Sequence, residues 1–432
     1  MQRTCVLIVL IVTSTMWTPD PDVYAQPRGF NYDEAQVPKY TLPDPLVMVD
    51  GTKVTSAKQW NDKRRDEVQQ LFEAYMYGKV PDGETELIFT DAKGERALGG
   101  AAIRKQVKIS FGEKEDAPAM DLLIYLPADA KVRVPVFLGL NFHGNHTIHK
   151  DKEIWLTESW VRTNKKFGIT KNKANELSRG VAAGRWQIEK AIAKGYGVAT
   201  IYCGDIDPDF NFPSNGIQAY YYKKDQTIPE KGQWGTIAAW AFGLSCAMDY
   251  FETDTDIDHK KVAVLGHSRL GKTSLWAGAI DTRFALTISN CSGCGGAALS
   301  RRRFGETVRR INTSFPHWFC SRFHQYNDKE DKLPIDQHML IALCAPRPVL
   351  INSATEDKWA DPHGEFLAAQ GADAVYRMLG TGGLDAKKWP EPNKLVKSTI
   401  GYHLRPGKHD VTARDWDVYI EFADHHMTGG AE

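Results

Sequence analysis

Strand-length apolar runs separated by helix-length stretches recur from about residue 134 onward, and that alternation admits few folds. The runs at 134–141, 196–202, 261–266, 285–289 and 348–353 read as strands, and 185–194, 234–251 and 269–279 as helices. Because these runs are continuously apolar rather than alternating, both faces of the sheet they form must be covered. The fold class predicted is therefore α/β, a three-layer sandwich around a mainly parallel sheet. Such a sheet collects ligands at the carboxyl ends of its strands, where the long stretches 145–184, 204–232, 300–340 and 377–402 are available as loops. Upstream, 86–90, 106–111 and 120–126 are short strands broken by Gly, Asp and Pro, as in an antiparallel lead-in. Residues 26–85 are expected to wrap the body through a helix over 56–77, whose Trp60, Val68, Leu71, Phe72 and Tyr75 fall on one stripe. One domain spanning 26–432 accommodates all of this.

Charge removes several function classes. With 54 basic and 54 acidic residues the chain carries no global field toward nucleic acid or an anionic membrane, so function has to be sought in a local site. The first 25 residues combine Arg3, an apolar run over 5–12 and Val23-Tyr24-Ala25 before a mature start near Gln26. That pattern reads as a signal peptide, too short to span a bilayer, and places the mature chain outside the cytoplasm, secreted or periplasmic. Six cysteines follow it, at 203, 246, 291, 294, 320 and 344, without paired knuckles; free buried thiols and one or two disulfides both remain open.

The segment 262–272, VAVLGHSRLGK, runs a buried strand into a Gly-flanked serine and on into a helix. That is the pattern of a nucleophile elbow, in which a sharp turn lifts the serine hydroxyl clear of the sheet and small neighbours let two backbones approach. The alternative for Ser268 is an ordinary helix N-cap. Downstream order favours the elbow, because in this arrangement an acid and then a histidine follow the serine along the chain. Asp357 and its neighbour Glu356 sit directly after the strand at 348–353, and His409 stands before a last helix around 415–422. Ser268 is thus the expected nucleophile, His409 the base and Asp357 the acid, with Glu356 as alternative acid and His403 as the nearest competing base.

Around these residues lie further segments: 266–272 GHSRLGK, 292–302 SGCGGAALSRR, 304–306 FGE, 315–319 FPHWF, 345–348 APRP, 359–362 WADP and 407–409 GKH. In order and spacing the chain resembles the bacterial glucuronoyl esterases of carbohydrate esterase family 15, within the α/β-hydrolase superfamily, from about residue 35 onward. The resemblance implies cleavage of esters joining 4-O-methyl-glucuronic acid branches of xylan to lignin alcohols through a glucuronoyl-serine. It implies a plant cell-wall polysaccharide as partner, with no metal and no cofactor; a monomer is expected. Position by position, it places Arg269 at the oxyanion and Lys272, Glu306 and Trp359 on the uronic acid ring. A cation and a carboxylate suit sugar hydroxyls, and an indole offers an apolar face with one donor. Each has a plainer alternative: Lys272 as a solvated helix residue, Glu306 as a partner of Arg301 to Arg303, Trp359 as core packing.

One position departs from the resembled pattern. Many members of that family carry the acid as a glutamate in the segment matching 289–293, where this chain has Cys291. A thiol cannot replace a carboxylate in holding an imidazolium; the resemblance to bacterial members whose acid lies after the later strand implies Asp357 for that role, with Glu356 beside it. Two other readings remain: an acetyl xylan esterase or other carbohydrate esterase, and a non-catalytic carbohydrate-binding homologue.

Overall fold

Ten strands form a single mixed sheet whose two halves differ in direction. The strands are β1 Ile88–Asp91, β2 Glu95–Ala97, β3 Ala102–Ser110, β4 Ala119–Pro127, β5 Val134–Asn141, β6 Gly197–Tyr202, β7 Ile257–His267, β8 Leu286–Asn290, β9 Val349–Ala354 and β10 Ile400–Arg405. Their order is β1-β3-β4-β6-β5-β7-β8-β9-β10, with β2 pairing β3 outside that path. Pairings among β1 to β4, and β4 with β6, are antiparallel, whereas β6-β5-β7-β8-β9-β10 run parallel. This computed structural model describes residues 26–81, 86–91, 93–114 and 117–428, so the expected signal segment 1–25 lies outside the described residues.

Every strand of the parallel half is largely buried, as its continuous apolar run requires. One face is covered by the helices Thr236–Thr253, Arg269–Ile280 and Pro362–Met378, the other by Ile188–Ala193 and Ala413–Met427. The helix Thr236–Thr253 is apolar almost all round and buried along most of its length, as a helix sandwiched inside a core must be. Among the described residues no helix is long and apolar enough to cross a membrane. All six described cysteines are buried free thiols.

The amino-terminal segment binds the body at two places. Its helical stretch over 57–77, interrupted by π turns at Trp60–Arg64 and Glu73–Tyr77, buries Trp60, Val68, Phe72, Met76 and Tyr77. The Tyr77 ring stacks on Trp276 at 4.4 Å, tying this segment to the helix that follows Ser268. Farther upstream, Phe30 meets Trp359 edge-on at 4.9 Å, Asn31 accepts from the Gly305 N–H at 2.8 Å, and Gln26 donates to the Glu356 carbonyl at 2.9 Å.

Two regular elements were not read from the sequence. Strand β10 was hidden by Gly401 and His403, which dilute its apolar run; Gly401 is needed because an added Cβ would lie 2.4 Å from the Phe422 ring. The helix Pro362–Met378 starts on an Asp361 cap that accepts the Gly364 N–H at 2.9 Å, and its Gly371 packs where a Cβ would stand 2.7 Å from His338.

Candidate active site

Ser268 sits at the carboxyl end of β7 with φ 58° and ψ −128°, a left-handed conformation that a serine adopts only when its surroundings enforce it. Its N–H donates to the Asn290 carbonyl at 2.9 Å, and its own carbonyl accepts from Gly271 and Lys272 at 2.9 and 3.1 Å. The side chain makes no capping bond to the helix, which disposes of the N-cap alternative and leaves Oγ free for other work. The glycine spacing also acquires a cause. A Cβ on Gly266 would lie 1.9 Å from the Leu270 carbonyl oxygen, and one on Gly271 2.9 Å from that of Asn290, so 266 and 271 are the tight positions. Residue 270 points inward, and its leucine is core.

His409 and Asp357 converge from two loops. Asp357 follows β9 and His409 follows β10, the parallel neighbour of β9, so their strand register brings the loops together. His409 Nδ1 and Asp357 Oδ2 are 2.5 Å apart. The Nδ1–H tautomer selected by this bond leaves the lone pair on Nε2. Ser268, His409 and Asp357 all line one cavity of about 330 Å³, without a direct hydrogen bond between serine and imidazole among the described residues; such bonds often close only around substrate. Glu356 lines the cavity too, but the imidazole is bonded to Asp357. His403 is elsewhere: it is buried within β10, bonded to Asn352 at 2.7 Å, with burial pushing its pKa down to about 4. A second histidine, His267, packs against His409 with ring centroids 4.4 Å apart and planes tilted at 41°, and is held neutral by burial, with Nδ1 2.7 Å from Asn290 Oδ1.

The same cavity gathers Arg269, Lys272, Glu306 and Trp359. Lys272 is almost fully buried, not a solvated helix residue; its Nζ donates to the Ser292 carbonyl at 2.5 Å, and burial lowers its pKa. Burial raises that of Glu306, with Lys272 as the largest opposing charge. Arg301, Arg302 and Arg303 have carboxylates of their own in Asp336, Asp361 and Glu330, so Glu306 is not their counter-ion. Gly305, at φ 62°, lets this loop cross within 2.5 Å (Cβ distance) of the carbonyls of Lys358 and Trp359, and the Glu306 N–H donates to Trp359 at 3.0 Å. Trp359 is half-buried at the rim against Phe30.

A larger cleft of about 680 Å³ lies between the 57–77 helix and Arg322, lined by Lys, Gln and carboxylate side chains and holding no serine, cysteine or histidine. Ser268, His409 and Asp357 line the smaller one.

Comparison with known proteins places the whole chain. The family model for fungal glucuronyl esterases matches residues 147–380. A solved structure of a promiscuous CE15 esterase from the marine bacterial metagenome is 99% identical, with a TM-score of 0.88 over 92% of this chain and 100% of that one. The glucuronoyl esterase from Solibacter usitatus is 48% identical, with a TM-score of 0.86 over 91% of this chain and 100% of its own. The 4-O-methyl-glucuronoyl methylesterase of Neurospora crassa is 33% identical over 81% of this chain and 75% of its own. The chain belongs to the glucuronoyl esterase family.

In this family member the structure adds a residue that the sequence did not single out. Asp209 forms an ion pair with Arg269 at 2.8 Å and accepts from Trp318 Nε1 at 2.8 Å, while His317 Nε2 lies 3.1 Å away. The Arg269 guanidinium lies between the rings of Phe142 and Trp318, at 4.6 and 5.7 Å from their centroids. Charge pairing with Arg269 and the two donors hold the Asp209 carboxyl well below the usual carboxylate range despite its burial. Nothing distinguished Asp209 from Asp205 and Asp207 in the sequence; the 315–319 segment was conspicuous, but only folding shows that it clamps an acid.

Proposed function

We infer that this chain hydrolyses esters of 4-O-methyl-glucuronic acid, the bonds joining glucuronoxylan to lignin alcohols, by acyl transfer through Ser268. The observation that carries the reading is the Asp357–His409 pair in the cavity that is also lined by Ser268, a buried lysine and carboxylate, and the indole of Trp359. Relatives bearing the name 4-O-methyl-glucuronoyl methylesterase support the acyl group.

His409 Nε2 takes the Ser268 proton as Oγ attacks the ester carbonyl, and Asp357 stabilises the resulting imidazolium through Nδ1–H. The Arg269 side chain, steadied by Asp209, offers N–H donors to the oxyanion. Collapse expels the alcohol with the proton from His409, leaving a glucuronoyl-serine that water cleaves by the same steps reversed. Lys272, Glu306 and Trp359 hold the sugar. On the other side of His409 a second cavity, of about 520 Å³, is lined by Phe142, Phe167, Trp186 and Val411 among others, and gives the departing apolar alcohol a place next to its proton donor. The wall polymer cannot enter a cell, which accords with secretion through the 1–25 segment and with action as a monomer.

Turnover of benzyl glucuronate against an aryl acetate, with wild type and Ser268→Ala, tests the reading. The expected outcome is preference for the glucuronate and loss of about 10⁶-fold in kcat on removing the hydroxyl. Equal turnover by Ser268→Ala would sink it, and a preference for acetate would transfer the assignment to the acetyl xylan esterase class. The promiscuity named for the 99% identical relative favours some turnover of simple esters as well.

A further inference from the structure

Cys291 occupies a place for which the reaction has no use. It follows β8, with φ 46° and its N–H donating to the Asn352 carbonyl at 2.8 Å, so its Cβ direction is fixed by the backbone of β9. Its Sγ, one carboxylate oxygen of Asp357 and one ring nitrogen of His409 all lie within 4.8 Å of one another. All three residues line the cavity of about 330 Å³, so an ion has a path to them. The pairing of β8 with β9 brings position 291 to the imidazole, and the side chain that stands there is a thiol, a stronger metal ligand than a filler needs to be.

Sulfur, nitrogen and oxygen donors so grouped suit a borderline-soft ion. Tetrahedral zinc bonds of about 2.0–2.3 Å place neighbouring ligand atoms roughly 3.4–3.6 Å apart, within reach of this cluster after small side-chain movements. Thiolate and carboxylate, both from buried residues, also neutralise a divalent charge.

We propose that Cys291, Asp357 and His409 bind a divalent transition-metal ion of the zinc class, and that occupancy switches the esterase off. The thiol releases its proton to solvent and sulfur bonds the metal. Nδ1 gives up its proton and takes the metal in place of its hydrogen bond to Asp357, whose oxygen also becomes a ligand. The imidazole stays neutral by carrying its single hydrogen on Nε2. That nitrogen is then a donor and cannot accept the Ser268 proton. A fourth coordination position remains open to the cavity. The switching rests on His409 being the base; the binding does not.

The experiment adds Zn²⁺ or Co²⁺ alone to chelator-stripped full-length protein, with Cys291→Ala and Cys291→Ser as variants and each protein's activity expressed relative to its own metal-free value. Expected are inhibition of wild type reversed by chelator, and at least a tenfold higher Zn²⁺ concentration for half-inhibition in both variants. With Co²⁺, a thiolate-to-cobalt charge-transfer band should appear in wild type and in Ser268→Ala and vanish in both Cys291 variants. A missing band, or one that survives in the Cys291 variants, overturns the site; identical half-inhibition in wild type and variants overturns Cys291 as ligand. A Cys291-dependent band without inhibition overturns the switch while leaving the metal site standing, and does not bear on His409 as base.

Discussion

The loops after β8 and after β9 reach the same imidazole with different chemistry. The first opens with Cys291 and the second carries Asp357, and register brings Asn290 beside Asn352 so that both loops leave the sheet near one level. A carboxylate carries the charge that stabilises an imidazolium and accepts Nδ1–H; a neutral thiol does neither well. Burial pushes the Cys291 thiol well above its ordinary value, so it offers no charge of its own. Reaching the base is therefore a property of the fold at two strand ends, whereas acting on it depends on one side chain.

Exchanging the two chemistries breaks the comparison most sharply. Asp357→Asn keeps the shape but favours the wrong tautomer, and kcat for a glucuronate ester should fall about 10⁴-fold. If position matters only through the group it carries, Asp357→Ala combined with Cys291→Glu should recover at least about tenfold over Asp357→Ala alone. Steady-state kcat of the four proteins decides this. Recovery without any initial loss, or a loss below about tenfold in Asp357→Asn, would show that the imidazole does not depend on residue 357.

A second acid performs the matching task across Ser268. Asp209 orients Arg269 as Asp357 orients His409, yet it works on a group that is permanently charged, so its removal should cost less. Arg269→Ala is expected to lower kcat about 10²-fold, in the range for loss of one oxyanion donor, with KM changed less. Asp209→Asn retains acceptance from Trp318 and should give part of that loss. The double variant should be no slower than Arg269→Ala, because both changes remove one function. Additive losses in kcat would separate Asp209 from the oxyanion and leave it a structural role.

The sequence exposed the parallel half of the sheet because a strand covered on both faces must be apolar throughout, and 134–141 matches β5 Val134–Asn141 residue for residue. It exposed Ser268 because the elbow leaves a local mark in its glycines. It hid β10, whose buried His403 and Gly401 answer to Asn352 and Phe422, partners made only by folding. Asp209 was hidden for the same reason, since Arg269 lies 60 residues away along the chain and the rings that enclose it come from two further segments. Order along the chain pointed to Asp357 and Glu356 alike; the 2.5 Å contact of Asp357 with His409 separates the two neighbouring acids.

Beneath both loops lies the group that ties them together, and it sets the mildest test. Glu365 is fully buried: its Oε1 accepts from the Gly293 N–H at 2.9 Å, in the loop after β8, and its Oε2 is 2.5 Å from Ser353 Oγ on β9. Burial raises its pKa from 4.5 to about 8, so it remains protonated where an unfolded glutamate would ionise. Between those values the folded chain binds a proton that the unfolded chain lacks, and stability must fall as pH rises, by up to about 1.4 kcal/mol per pH unit from this group. Its contribution is intact below pH 4.5 and lost by the time pH passes about 8. Glu365→Gln supplies a neutral side chain of the same shape and should abolish that slope, gaining on wild type as pH increases. Urea unfolding of both proteins at pH 5, 6.5 and 8 measures it. Parallel stability curves would mean that Glu365 is charged in the folded state, and that the two loops are joined by an anion rather than by a neutral acid.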